Sequence, residues 1–272
     1  VLMGRHDTPL KISTGPLDLF ADTMSDYNNT VGFQDLRADN VVAYVSPSFS
    51  GFQFAGAVVA GGGASAANLG LNLNTGAVAN TAKYNNESNS LAEAWSLAAI
   101  YKNGPWYASL AYESLNKELV CENVTVGNTN ISGCGGGLNA ADWNKWRVGL
   151  GILDWNGFSL TGIYEGWDNG MWVDGAKANL WNVQAGYTFG QIMLKAAYGS
   201  NAQQDINMLA GGGNVNGVYY IAGTPDDFNF KTWSFGVDYN MSKRTKAFAL
   251  YTDNTSDDLD YVATDGHSLY GG

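Results

Sequence analysis

Apolar and polar residues alternate along many stretches of the chain, whereas helical spacing with caps is nearly absent. Within residues 181–188, one side of the pattern carries Trp181, Val183 and Tyr187, and the other carries Asn182 and Gln184. A period of two is typical of a β-strand, because successive side chains of a strand point to opposite faces of the sheet. The sequence therefore predicts an all-β protein with one aromatic, apolar face and one face of small or polar residues.

Ten strands follow from this alternation, at 36–46, 51–60, 91–102, 105–114, 143–154, 157–166, 178–189, 191–200, 229–240 and 245–254. Short turns alternate with long polar connections at 61–90, 115–142, 167–177, 201–228 and from 255 onward. This alternation places all the long loops at one end of an up-and-down antiparallel sheet. Each strand has about 10 residues, the length that a tilted strand needs to cross a bilayer. The pattern thus predicts a transmembrane antiparallel β-barrel.

A soluble β-sandwich or lipocalin-like barrel would also alternate, but two features favour the membrane. The aromatic face carries almost no charge at the central strand positions. Trp and Tyr recur near strand ends, where an interfacial girdle would lie. These residues are Trp95, Tyr101, Trp106, Tyr112, Trp143, Trp155, Tyr187, Tyr198, Trp233 and Tyr239.

Composition and charge narrow the function. The formal net charge of -11 argues against nucleic-acid binding, which needs a basic face. No run of about 20 apolar residues predicts a membrane helix, and the first residues, VLMGRHDTPLK, lack the basic start and apolar stretch of a signal peptide.

Three segments of the chain stand out as motifs: GRHDTPLKISTGPLDLFADTMSDYN at 4–28, LRADNVVAYVSPSFSGFQFAGAVV at 36–59 and SKRT at 242–245. They resemble segments of the general porins of Gram-negative proteobacteria. The resemblance implies a 16-strand, trimeric outer-membrane barrel in which 1–272 form a single domain. It implies that Val1–Arg5 end the fifth strand, that the ten strands above are strands 6 to 15, and that residues 12–35 fold inward as a constriction loop.

The first four strands and the last strand of this family pattern have no counterpart in the sequence. An open sheet in lipid would leave unpaired edge amides, which cost several kcal/mol each. We therefore expect a complete sequence to add about 100 residues before Val1, at the usual spacing of strand plus loop. A 12-strand barrel closing through 1–12 and 257–272 is the alternative.

The resemblance also implies a function: a water-filled channel for passive diffusion of small hydrophilic solutes and ions, in the outer membrane and without a cofactor. The expected partners are outer-membrane lipid, lipopolysaccharide and two further copies in a homotrimer. In this interpretation the inward loop supplies the acidic side of the constriction. Strand parity places basic side chains on the facing wall, and two arginines flank the base of the loop. These residues are Asp18, Asp22, Asp26, Asp35, Lys145, Arg147, Lys195, Arg5 and Arg37. Solvated loop and rim charges are the alternative for these groups.

Other functions receive less support. A surface adhesin or receptor acting through the long loops is the alternative to transport. An enzyme is disfavoured, because neither histidine, His6 or His267, accompanies a nucleophile motif. Cys121 and Cys134 lie in one long loop, and in an exported, oxidising setting they are expected to form a disulfide. A metal site would need two further ligands, and none is nearby.

Overall fold

The computed structural model of the chain describes residues 1–60, 91–117, 141–172, 174–204, 228–242 and 245–256, and short strands at 73–74, 124–126, 129–131, 213–215 and 218–220. Eleven strands form one sheet: β1 (Leu2–Asp7), β2 (Arg37–Val45), β3 (Phe52–Val59), β4 (Ala94–Asn103), β5 (Trp106–Leu115), β6 (Trp143–Trp155), β7 (Phe158–Asp168), β8 (Lys177–Phe189), β9 (Ile192–Gln204), β10 (Phe228–Asn240) and β11 (Lys246–Ser256). Each strand pairs antiparallel with the next, so the sheet runs from β1 to β11 in chain order.

The up-and-down, all-β architecture predicted from the alternation is confirmed. The ten predicted strands correspond to β2–β11, with bounds that differ by a few residues, and the segment predicted to end a preceding strand is β1. In the described part of the chain, no helix has both the length and the apolar character needed to cross a membrane.

Tight turns join the strands at one end of the sheet. Between β4 and β5, Asn103 pairs with Trp106 and Gly104 has a positive φ of 57°, a backbone conformation in which a side chain is strained. Between β6 and β7, Gly157 has a φ of 87°, and a Cβ atom there would collide with the carbonyl oxygen of Thr188. These glycines allow reversals short enough to keep the register of neighbouring strands.

The two faces of the sheet differ in exposure as the alternation predicted. Large apolar side chains at mid-strand positions are exposed on one face, which we call the apolar face: Leu97, Leu110, Leu150, Val183 and Phe235. The opposite, polar face is buried, with Ser96, Glu113, Arg147, Gln184 and Asp238 among its side chains. Exposed aliphatic and aromatic groups on a sheet of this length suit contact with lipid.

Trp143 departs from the girdle predicted for it. Its side chain is fully buried on the polar face, with the same parity as Lys145 and Arg147. It packs edge-on against Trp167 and Trp172, with ring centroids 5.0 and 5.1 Å away. Trp143 therefore belongs to an internal aromatic cluster.

The polar face is covered by residues 8–36, which connect β1 to β2 and which we call loop 8–36. It contains helix α1 (Pro9–Thr14), a 3-10 turn (Gly15–Leu17) and helix α2 (Tyr27–Thr30). Proline begins α1, where its missing N–H removes no helical hydrogen bond. Asp26 caps α2 by accepting a hydrogen bond from the Asn28 N–H. Seven large apolar side chains of loop 8–36 are fully or almost fully buried: Leu10, Leu17, Phe20, Tyr27, Val31, Phe33 and Leu36.

Candidate functional site

Loop 8–36 is held to the polar face by side chains of strands β4 to β9. Five side chains of the wall donate hydrogen bonds to backbone carbonyls of the loop. The pairs are Tyr107 with Ser13 (2.8 Å), Thr161 with Leu17 (2.7 Å), Lys195 with Leu19 (2.8 Å), Asn201 with Val31 (2.9 Å) and Lys145 with Gln34 (2.8 Å). Two loop amides donate to the wall, Leu10 to Ser96 Oγ (3.0 Å) and Leu19 to Gln184 Oε1 (2.6 Å). The loop backbone would lose these partners if it left the sheet, so its position on the wall is strongly specified.

Arg147 is the centre of the attachment. Its guanidinium is fully buried and donates to Glu165 Oε2 on the neighbouring strand and to Asp35 Oδ1 on the loop, each at 2.5 Å. A further hydrogen bond, of 2.9 Å, reaches Thr14 Oγ1. Burial alone would raise the pKa of Asp35, but the adjacent Arg147 charge outweighs it and lowers that pKa below its ordinary value. One wall cation thus binds a loop carboxylate and a wall carboxylate together.

The two other predicted wall cations are also buried and ion-paired. Lys145 Nζ lies 2.7 Å from Glu113 Oε1, and both side chains have zero exposure. Lys195 Nζ lies 3.1 Å from Asp238 Oδ2 and 4.6 Å from the ring centroid of Phe20. All three cations, Lys145, Arg147 and Lys195, therefore lie between loop and wall: each is paired with a carboxylate, and each donates a hydrogen bond to the loop.

The loop acids lie in different environments. Asp18 is partly buried and accepts hydrogen bonds from Gln184 Nε2 and the Phe20 N–H, both at 2.9 Å. Burial, with the nearby Asp26 carboxylate, raises the pKa of Asp18 to about 6. Burial also raises the pKa of Asp26. Asp22 is exposed, with a φ of 61°, and its N–H donates to Asp26 Oδ2. Asp18, Asp22 and Asp26 therefore form an acidic group on the loop, separate from the buried Asp35.

Arg5 and Arg37 lie at the base of the loop, away from the cluster around Arg147. Arg5 is paired with Asp39 at 3.5 Å, and Arg37 with Asp7 at 3.3 Å, and both arginine side chains are mainly exposed. Lys11 also pairs with Asp7, at 3.3 Å. The structure does not bring these two arginines to the other predicted constriction residues.

Several residues of the site were missed in the sequence: Glu113, Glu165, Gln184 and Asp238. A signal was present for two of them. Glu113 stands directly opposite Lys145 in the β5–β6 register, and Glu165 opposite Arg147 in the β6–β7 register. Opposite charges at facing positions stabilise neighbouring strands. The shared polar face and the opposite charges of these side chains on neighbouring strands were therefore the signal that could have pointed to both pairs.

The predicted disulfide between Cys121 and Cys134 lies outside the described residues. Among the residues that the structure does describe, no group of three or more His, Cys, Asp or Glu side chains is placed to hold a metal ion.

Solved structures with a similar fold are outer-membrane proteins. The anion-selective porin of Comamonas acidovorans is 18% identical, with a TM-score of 0.56 over 93% of this chain and 63% of that one. The Vibrio cholerae outer-membrane protein OmpT, in a form lacking its loop L8, is 16% identical, with a TM-score of 0.56 over 93% and 70%. The Acinetobacter baumannii outer-membrane channel DcaP is 14% identical, with a TM-score of 0.56 over 94% and 65%. A comparison with curated protein sequences gives no match.

The exposed apolar face, the covered polar face and the antiparallel order of the strands define the class as an outer-membrane β-barrel wall with a segment packed against its polar side. The sequence profile of the Gram-negative porins matches residues 1–259, so the chain belongs to the Gram-negative porin family of the bacterial outer membrane. It spans slightly less than two thirds of the Comamonas acidovorans porin, 63%. Family and fold together support an outer-membrane channel and point away from an enzyme.

Proposed function

We propose that the protein forms a water-filled pore for passive diffusion of small hydrophilic solutes and ions, and that loop 8–36 narrows this pore. The observation that carries the proposal is the attachment of the loop across the polar face, with Arg147 binding Asp35 and Glu165 at its centre. A segment fixed inside a barrel reduces the cross-section open to water, and pore width and charge decide which solutes pass.

The same arrangement supports a role for the loop acids in the constriction. The wall cations Lys145, Arg147 and Lys195 are paired with Glu113, Asp35 and Asp238, and not with Asp18, Asp22 or Asp26. The acids contribute charge that ions passing the loop encounter, and the three cations fix the loop. We also propose that lipid and lipopolysaccharide surround the apolar face and that the protein assembles as a homotrimer.

The test is conductance of the purified full-length protein in planar bilayers, together with swelling of liposomes in sugars of increasing size. We expect discrete conductance steps and a swelling rate that falls with sugar size. A matched variant lacking residues 19–30 should conduct more, because it removes the loop tip and leaves the wall strands intact.

Absence of conductance from folded full-length protein would contradict the proposal and would favour a surface receptor acting through the long loops. Equal conductance of the wild type and the loop variant would retain the pore but remove the loop as its constriction.

A further inference from the structure

Five glycines on the polar face lie directly under side chains of loop 8–36. They are Gly149 and Gly151 on β6, Gly186 on β8, Gly199 on β9 and Gly236 on β10. None has a positive φ, so an ordinary residue could adopt the backbone conformation at each position. The need for glycine at these sites is therefore steric. It comes from the loop side chains above them and, at three of the five, also from wall atoms closer than 3.0 Å: Ser109 Oγ lies 2.6 Å from a Cβ at Gly149, Met193 Cε 2.6 Å from one at Gly186, and Trp181 O 2.8 Å from one at Gly199.

Each glycine meets an apolar side chain of the loop. A Cβ atom at Gly199 would lie 2.6 Å from Val31 Cγ2, one at Gly236 would lie 2.9 Å from Phe20 Cε1, and one at Gly186 would lie 3.1 Å from Leu19 Cδ1. Leu17 occupies two of the sites: a Cβ at Gly149 would lie 2.5 Å from its Cδ1, and one at Gly151 would lie 2.6 Å from its Cδ2. Each terminal methyl of Leu17 thus sits over the bare backbone of one glycine.

We propose that the packing of Leu17 against Gly149 and Gly151 sets the distance between loop 8–36 and the wall. The ion pairs fix which groups meet, but flexible Arg and Lys side chains tolerate a change of distance. The glycines let the loop approach as closely as backbone permits, and the fully buried Leu17 fixes the register along β6. This inference rests on the proposed function where it concerns pore width, and on contacts alone where it concerns loop position.

The decisive variant is Gly151→Ala in the full-length protein, because a Cβ there would meet Leu17 Cδ2 at 2.6 Å and other side chains at 3.4 Å or more, whereas a Cβ at Gly149 would also lie 2.6 Å from Ser109 Oγ on the wall. Carbon atoms in contact lie about 3.5–4.0 Å apart, so the added methyl would displace Leu17 by about 1 Å away from the wall. We expect a lower single-channel conductance than in the wild type, because the loop moves toward the water-filled side. We also expect faster hydrogen exchange at the amide of Leu19, which lies two residues after Leu17 and donates its hydrogen bond to Gln184 Oε1.

A matched control is available on the other face of the same sheet. Gly162 on β7 also has an ordinary backbone conformation, and a Cβ atom there meets nothing within 4 Å. Gly162→Ala should therefore leave both conductance and exchange at wild-type values. The double variant Leu17→Val with Gly151→Ala removes the Leu17 Cδ2 atom that collides, and should return conductance toward the wild type.

The outcomes separate the two proposals. If Gly151→Ala matches Gly162→Ala in both measurements, or if adding Leu17→Val does not restore conductance, the inference about Leu17 is wrong. If the wild type does not conduct while exchange at Leu19 still responds to Gly151→Ala, the pore proposal fails and the inference about loop position stands. If Gly151→Ala does not fold, Leu17→Ala takes its place: exchange at Leu19 must then rise with the wall unchanged, and an unchanged rate would overturn the inference.

Discussion

Arg147 shows how single residues couple the loop to the wall. A buried guanidinium is costly unless it is paired, and here the paired carboxylates come from two separate parts of the chain, Asp35 on the loop and Glu165 on β7. Tyr27 adds a hydrogen bond of 2.8 Å to Asp35. Docking of the loop therefore adds Asp35 to an ion pair that Arg147 and Glu165 already form on the wall.

Replacing Arg147 by leucine leaves Glu165 and Asp35 buried without their cation. We expect a loss of about 3–5 kcal/mol in the free energy of unfolding, the usual cost of removing one partner from a buried ion pair. The measurement is denaturant unfolding of the full-length protein in detergent.

Arg37→Leu is the control for this prediction, because the Arg37 side chain is 55% exposed in its pair with Asp7. Exposed ion pairs contribute about 0–1 kcal/mol, so this variant should remain close to the wild type. Equal losses for the two variants would contradict a central role for Arg147.

The raised pKa of Asp18 should make the folded state less stable as the pH rises. Burial, then the Asp26 charge, raises the pKa of Asp18 to about 6 in the folded protein, whereas an unfolded chain has an Asp pKa of about 3.9. The folded state therefore binds the proton more tightly, and its stability should fall as the pH rises from about 4 through about 6. Thermal unfolding across this range should show the trend, and Asp18→Asn should weaken it, with a remainder of the same sign from Asp26, whose pKa burial also raises. A slope that is identical in the variant would exclude Asp18 as its source.

At the scale of the strands, parity decides most of the arrangement. Trp143 could have been placed correctly from its even spacing to Lys145 and Arg147, because all three point to the same face. The orientation of Arg37 could not be predicted from parity, because parity changes within β2: Ala38 and Val41 are both buried, and Asn40 between them has a φ of 58°. A local left-handed residue of this kind leaves no trace in the hydrophobic pattern.

The midpoint of β8 tests the assignment of the apolar face. Val183 is exposed at the centre of the strand, and Phe189 is exposed at its end. A lysine on the lipid face is expected to cost about 2–4 kcal/mol at the bilayer midplane and about 0–1 kcal/mol near the interface. Val183→Lys should therefore lower the free energy of unfolding in lipid vesicles far more than Phe189→Lys. Similar costs at both positions would show that this face does not contact lipid.

At the scale of the whole molecule, the net charge of -11 is distributed unevenly. No Lys or Arg lies between Lys11 and Arg37, and this stretch carries Asp18, Asp22, Asp26 and Asp35. The wall cations beneath it are paired, so they neutralise carboxylates that are already buried. In the pore that we propose, the loop would therefore present a negative field to ions, and a negative surface concentrates cations.

Removing one exposed loop charge should lower the preference for cations. We expect Asp22→Asn to reduce the cation-to-anion permeability ratio, measured from the reversal potential across a potassium chloride gradient. Asp39→Asn is the matched control: it removes the same charge from the pair with Arg5 at the loop base. A ratio that responds equally to both variants would mean that total charge, and not the loop, sets selectivity.

The sequence by itself determined the strands, their order and the two faces, because alternation with period two is imposed locally by strand geometry and needs no knowledge of distant partners. It also placed Lys145, Arg147 and Lys195 on the polar face. Only the tertiary structure decided that these cations lie under loop 8–36, paired with Glu113, Glu165, Asp35 and Asp238. That outcome depends on contacts between residues more than a hundred positions apart, such as Asp35 and Arg147, and on glycines whose role appears only when Leu17 stands above them.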